Sequence, residues 1–161
     1  MNTYNAIAQS NVNFLTKIQN RANLQDIYDA RDLAEVVYRT IRDLMPREMI
    51  DRVSSDLQER QNTDNPLGEK SEIVQLWQDR NPLVAWLSRV RPAFKGEVPY
   101  TFDDKLFVTR VEQEGGMPRG TDGETVIKAV FAATKDELSE ARVKEVAEFL
   151  PGKIKEFWQL A

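Results

Sequence analysis

Residues 107–158, FVTRVEQEGGMPRGTDGETVIKAVFAATKDELSEARVKEVAEFLPGKIKEFW, read as four short helices, and most of this stretch has a counterpart earlier in the chain. Shifting it back by 93 positions (107 − 14) places Phe107 on Phe14. The identities in this single register pair Phe14 with Phe107, Thr16 with Thr109, Asp29 with Asp122, Val37 with Val130, Asp43 with Asp136, Val53 with Val146 and Leu57 with Leu150. Since the matches need no gap and fall mostly on apolar positions, they predict that one helical unit occurs twice.

The fold predicted from this pattern is all-α, with two pseudo-symmetric helical repeats packed as one bundle-like domain over residues 1–161. The first repeat is predicted at residues 11–57 and the second at residues 103–158, because apolar residues recur there at helical spacing. Residues 58–102 are predicted to be a helical insertion and connector between the repeats. This segment is too short to bury a core of its own.

Capping residues and prolines predict where individual helices begin. Asp29 is the predicted N-cap of the second helix, and Thr121 with Glu124 fits a capping box at the corresponding helix of the second repeat. Pro46 and Ser139 are predicted to begin the third helix of each repeat.

The insertion departs from the repeat. Residues 58–70 are polar and contain a proline and a glycine, which predicts a loop. Two short helices are expected after it, over residues 72–80 and 83–90. The first repeat therefore has no match, in the shared register, for the last helix of the second repeat, which carries Trp158.

The composition narrows the classes of function. The chain of 161 residues has no Cys and no His. This excludes disulfides and thiolate sites, and it removes the commonest general base and metal ligand. Because no cofactor signature is present either, we expect neither a cofactor nor a metal, and the balance lies against an enzyme.

The charge and the hydropathy of the chain indicate which class of partner and which compartment to expect. The formal net charge of −4 argues against nucleic-acid binding, because that binding depends on clustered Lys and Arg. No apolar run approaches the roughly 20 residues that span a bilayer, so no membrane insertion is expected. The first residues lack the basic and apolar pattern of a signal peptide, and the absence of Cys is compatible with a reducing compartment. We therefore expect an acidic, cytoplasmic protein.

One stretch of the second repeat resembles a known family. Residues 130–151, VFAATKDELSEARVKEVAEFLP, show an apolar helix, a short break, a helix that begins near Glu-Ala, and an apolar-Leu-Pro exit. This pattern resembles the bacterial helical family catalogued as domain of unknown function 2267, whose members often carry the helical unit twice. The resemblance covers residues 103–158 well and residues 11–57 more loosely, with Gln58 in place of the proline, and the insertion lies outside it. It implies the helical fold and brings no catalytic or binding residues.

A short segment of the insertion supplies the candidate partner-binding residues, Trp86, Arg89, Arg91, Phe94 and Lys95. They combine aromatic side chains with positive charge in an acidic protein, and Trp and Arg are favoured at the centres of protein interfaces. The alternative is that the aromatic rings pack over the groove between the repeats while the cations are solvated.

Three further patterns have simpler structural interpretations. The glycine-rich residues 114–124 could hold an anion at a helix start, but they lack the ending of a phosphate loop, which favours a loop and a cap. Several carboxylates could bind a divalent cation, although helix capping explains them: Asp26, Asp29, Asp32, Asp103 and Asp104. The charged pairs Arg42-Asp43 and Lys135-Asp136 recur in both repeats, either as an interface element or as exposed ion pairs at helix ends.

These observations leave three hypotheses for function. The first is a non-catalytic protein that works by binding another protein, as an adaptor or an assembly accessory. The second is small-molecule binding in the groove between the repeats. The third is an enzyme that uses carboxylates or Lys. A homodimer built on one helix face is also compatible with the sequence.

Overall fold

The computed structural model describes residues 9–64, 72–78, 103–118 and 120–161. These residues form eight α-helices and no strand, which confirms the predicted all-α class. The helices are α1 (Gln9–Ala22), α2 (Ile27–Arg42), α3 (Arg47–Asp64), α4 (Glu72–Gln78), α5 (Asp104–Gly115), α6 (Gly123–Lys135), α7 (Glu140–Ala147) and α8 (Gly152–Leu160). Within these residues, no helix is long and apolar enough to cross a membrane.

The helices of the first half (α1–α4) and the second half (α5–α8) interlock. α1 has its most extensive packing with α6, and α2 packs on α5 as well as on α1. Each half therefore places its first helix against the second helix of the other half. The buried apolar side chains form one continuous cluster across both halves, and its largest members are Trp77, Trp158, Tyr38, Phe14, Phe107 and Phe131.

The second helix of the first half begins earlier than predicted. Its N-cap is Asp26, not Asp29: the Asp26 carboxylate accepts hydrogen bonds from the backbone N–H groups of Tyr28 and Asp29, both at 2.9 Å. Asp29 lies in the first turn, where the helix dipole favours a negative charge. Partial burial, with smaller contributions from the charges of Asp26 and Asp32, raises the pKa of Asp29.

The corresponding helix of the second half, α6, also begins differently from the prediction. Asp122 is the N-cap and accepts from the backbone N–H of Thr125 at 2.8 Å, whereas the buried Oγ1 of Thr121 has no hydrogen-bond partner among the described residues. The carboxylate of Glu112 in α5 accepts from the backbone N–H of Gly123 at 3.1 Å. The predicted capping box is therefore wrong, because carboxylates from Asp122 and from another helix satisfy the free N–H groups.

The third helices begin where the sequence predicted. α3 starts directly after Pro46, and α7 follows its N-cap Ser139, whose Oγ accepts from the backbone N–H of Arg142 at 3.3 Å.

The end of α3 differs from the prediction. The loop expected at residues 58–70 is wrong for residues 58–64, which continue α3 to Asp64. These residues are polar, but Gln, Glu and Arg have high helix propensity, so the stretch continues as a polar end of the helix.

Candidate binding surfaces

The predicted partner-binding residues Trp86, Arg89, Arg91, Phe94 and Lys95 lie outside the described residues. The same holds for the helix expected over residues 83–90. Their role in binding stays a prediction. The helix expected just before them is present as α4, which ends at Gln78.

The last helix of the second half docks through Trp158. Its indole Nε1 donates to the backbone carbonyl of Val143 in α7 at 2.8 Å, and its ring lies edge-on to Phe131 with 5.1 Å between ring centres. One turn earlier, Ile154 is fully buried. The ammonium group of Lys135, at the end of α6, donates to the carbonyl oxygen of Trp158 at 2.7 Å. Both the indole N–H and a free carbonyl at the helix end are thereby satisfied.

The helix α4 docks in the first half through Trp77 with the same set of contacts. The indole Nε1 of Trp77 donates to the backbone carbonyl of Ile50 in α3 at 2.9 Å, and the ring lies edge-on to Tyr38 with 5.2 Å between ring centres. Ile73 is fully buried one turn earlier. Arg42, at the end of α2, donates to the carbonyl oxygen of Trp77.

The two docked helices share a sequence that the single register concealed. Residues 73–77 read IVQLW and residues 154–158 read IKEFW, an offset of 81 positions (158 − 77). The residues that receive them keep the offset of 93, as Ile50 and Val143 show. In the register of 93 positions the first half has no match for the last helix, as expected; residues 73–77 match it at the offset of 81 because the stretch between the third helix and the Trp is longer in the first half.

The recurring charged pairs also link separate helices. Asp43 at the end of α2 pairs with Arg110 of α5 at 2.6 Å, and Asp136 at the end of α6 pairs with Lys17 of α1 at 3.1 Å. Lys17 and Arg110 are themselves 93 positions apart (110 − 17). The two ion pairs thus cross between the halves in opposite directions. Since the basic members of the recurring pairs hold the docked Trp helices, the pairs act as interface elements within the molecule.

A polar network joins α3 to α7. The carboxylate of Asp56 accepts from Ser139 through its backbone N–H at 3.2 Å and its hydroxyl at 2.7 Å, and from the Arg142 guanidinium at 3.3 Å. Burial alone would raise the pKa of Asp56, but these hydrogen bonds outweigh it and hold the pKa below its usual range. The network therefore anchors the N-terminus of α7 on α3.

The remaining acidic candidates serve the ends of helices. Asp103 is the N-cap of α5 and accepts from the backbone N–H of Leu106 at 2.8 Å. Asp104 accepts from the backbone N–H of Lys153 at 2.9 Å, and this hydrogen bond lowers its pKa. Across the described residues, no group of three or more His, Cys, Asp or Glu side chains has the arrangement of a metal site.

The glycine-rich stretch forms a helix end and a turn. Gly116 is the C-cap of α5 with φ of 55°, and Gly120 has φ of 85°, so both adopt the left-handed conformations that glycine tolerates best. The backbone N–H of Gly123, at the start of α6, is already bonded to the Glu112 carboxylate. This supports the interpretation as loop and cap over an anion cradle.

An open groove of about 580 Å³ lies between α1, α6, α7 and the end of α8. Its lining combines apolar side chains with charges of both signs: Ala132, Leu138, Val143, Arg21, Lys135, Lys144, Asp136 and Glu140. Arg21 comes from the first half and the others from the second half, so the groove takes residues from both. Sequence reasoning placed a groove between the repeats but did not identify these residues.

The chain matches the sequence model of a known protein family. The sequence model of the family described as Uncharacterized conserved protein (DUF2267) matches residues 12–157. This match includes residues 58–102, which we had expected to lie outside the family pattern. No curated protein matches the chain. Because the match covers most of the sequence, this protein belongs to the DUF2267 family.

Proposed function

We propose that this protein is a non-catalytic binding protein that acts by holding another protein, as an adaptor or an assembly accessory. The observation that carries the proposal is the structural role of the aspartates whose pKa values are lowered. Asp56, Asp104 and Asp122, whose pKa values are lowered, each hold the start of a helix. Carboxylates in this role help to make the scaffold rigid. Because their pKa values are lowered, they stay ionised and are poorly suited to take up protons near neutral pH.

We further propose that the scaffold is one helical unit used twice. Two observations support this: the matching surroundings of Trp77 and Trp158, and the ion pairs that cross between the halves in opposite directions. A duplicated scaffold offers two related surfaces for partners, as helical repeat proteins do.

Affinity purification tests the proposed function. Tagged protein would be purified from its own cells at moderate salt and its companions identified by mass spectrometry. We expect one protein partner in stoichiometric amount. A clean preparation without any protein partner, repeated after mild crosslinking, would contradict the function.

The site of binding is tested with two matched variants. One carries Trp86→Ala, Arg89→Ala and Arg91→Ala, and the other carries Arg21→Ala and Lys144→Ala in the groove. Loss of the partner in the first variant alone supports the aromatic–basic segment as the binding site. Loss in the groove variant alone contradicts that assignment and moves the site to the groove.

Small-molecule binding in the groove is a second candidate function. Its volume of about 580 Å³ lies within the roughly 300–1,000 Å³ that is typical of ligand sites. The apolar side chains of Leu138 and Val143, with charges of both signs around them, favour a small molecule that is partly apolar and partly polar. Native mass spectrometry of protein from its own host should then show an added mass that the Arg21→Ala/Lys144→Ala variant loses. An unchanged mass under gentle conditions would count against this candidate.

A carboxylate enzyme receives less support from the described residues. The carboxylates with shifted pKa values do not line the groove: Asp29, Asp56, Asp104 and Asp122. The raised pKa of Tyr38 is caused mainly by burial in the core, where no substrate reaches it.

A further inference from the structure

We draw no further inference here: the strongest candidate, the open groove between α1, α6, α7 and the end of α8, belongs to the second candidate function already described, and nothing among the described residues shows what covers it.

Discussion

Trp77 in the first half and Trp158 in the second half are held in nearly the same way, with 5.2 and 5.1 Å between each ring centre and its aromatic neighbour. The neighbours differ. The hydroxyl of Tyr38 lies 2.7 Å from that of Thr134 in the other half, whereas Phe131 has no hydroxyl group. The comparison teaches that the docked helix is held without a hydroxyl group on its aromatic neighbour. The polar contact of Tyr38 is an addition that links the halves.

The two ion pairs between the halves differ in how far their side chains are exposed to water. The side chains of Arg110 and Asp43 are 23% and 28% exposed, whereas those of Lys17 and Asp136 are 44% and 58% exposed. Water screens an exposed pair more strongly than a partly buried one. The two ion pairs therefore need not contribute equally to stability.

Replacing either docked Trp should have the largest effect. Trp77→Ala and Trp158→Ala should each lower the free energy of unfolding by about 3–5 kcal/mol, because each leaves a large cavity in the core. Urea denaturation followed by circular dichroism measures both, with Leu160→Ala as a control, since Leu160 is 85% exposed. A loss below about 1 kcal/mol for one Trp alone would contradict the proposal that one helical unit is used twice.

Disrupting the hydrogen bonds of Asp56 should cause the next largest loss in the free energy of unfolding. Asp56→Asn should cost about 1.5 kcal/mol near pH 7, because hydrogen bonds from Ser139 and Arg142 to a charged carboxylate are lost. The pKa of Asp56 is lowered by folding from its usual 3.8, so its contribution is full above that value and disappears as the pH falls through the lower, folded value.

Urea midpoints of the native protein and Asp56→Asn, measured near pH 7 and near pH 2, check this prediction, because the two proteins should converge in acid. Asp51→Asn is the control, since the contact of Asp51 with Arg47 is exposed to water. A difference in urea midpoint between the native protein and Asp56→Asn that stays constant with pH would contradict the assigned role of the Asp56 carboxylate.

Tyr38→Phe sharpens the comparison, because it gives the first half the aromatic residue of the second half. Loss of the hydrogen bond to Thr134 should cost about 1 kcal/mol, while the packing against Trp77 is retained. A double-mutant cycle with Thr134→Val should show a coupling of similar size. Strict additivity of the two substitutions would show that the contact between the hydroxyl groups does not stabilise the fold.

The ion pairs between the halves should show the smallest contributions to the free energy of unfolding. A cycle on Arg110 and Asp43 should yield a coupling of up to about 1 kcal/mol, and a cycle on Lys17 and Asp136 only about 0.3 kcal/mol. Added salt should weaken the more exposed pair further. Stronger coupling at Lys17 and Asp136 would reverse the order expected from exposure.

Periodicity and spacing predicted much of this fold. The all-α class and the starts of α3 and α7 followed from apolar spacing, Pro46 and Ser139. The N-cap of α2 was misplaced because Asp26 and Asp29 both suit that position, and tertiary contacts decide which carboxylate faces the free N–H groups. The likeness of residues 73–77 to residues 154–158 was missed because their offset of 81 positions differs from the offset of 93 found elsewhere.

No local sequence pattern predicts the contacts between the halves. Lys17 and Asp136 are 119 positions apart, and nothing in the sequence near either residue indicates that α1 packs on α6. For the same reason the lining of the groove, with Arg21 beside Lys144, was not predicted. The aromatic–basic segment around Trp86 remains a prediction from composition alone.

Hydrogen exchange of the indole N–H groups in the native protein tests most directly the claim that the same contact is built twice. Both Trp77 and Trp158 donate to a backbone carbonyl, at 2.9 and 2.8 Å, from buried positions. We predict that NMR will find both indole protons slowed by at least about a hundredfold relative to a free indole. Exchange of the Trp77 proton at the free rate, with Trp158 still protected, would contradict the account.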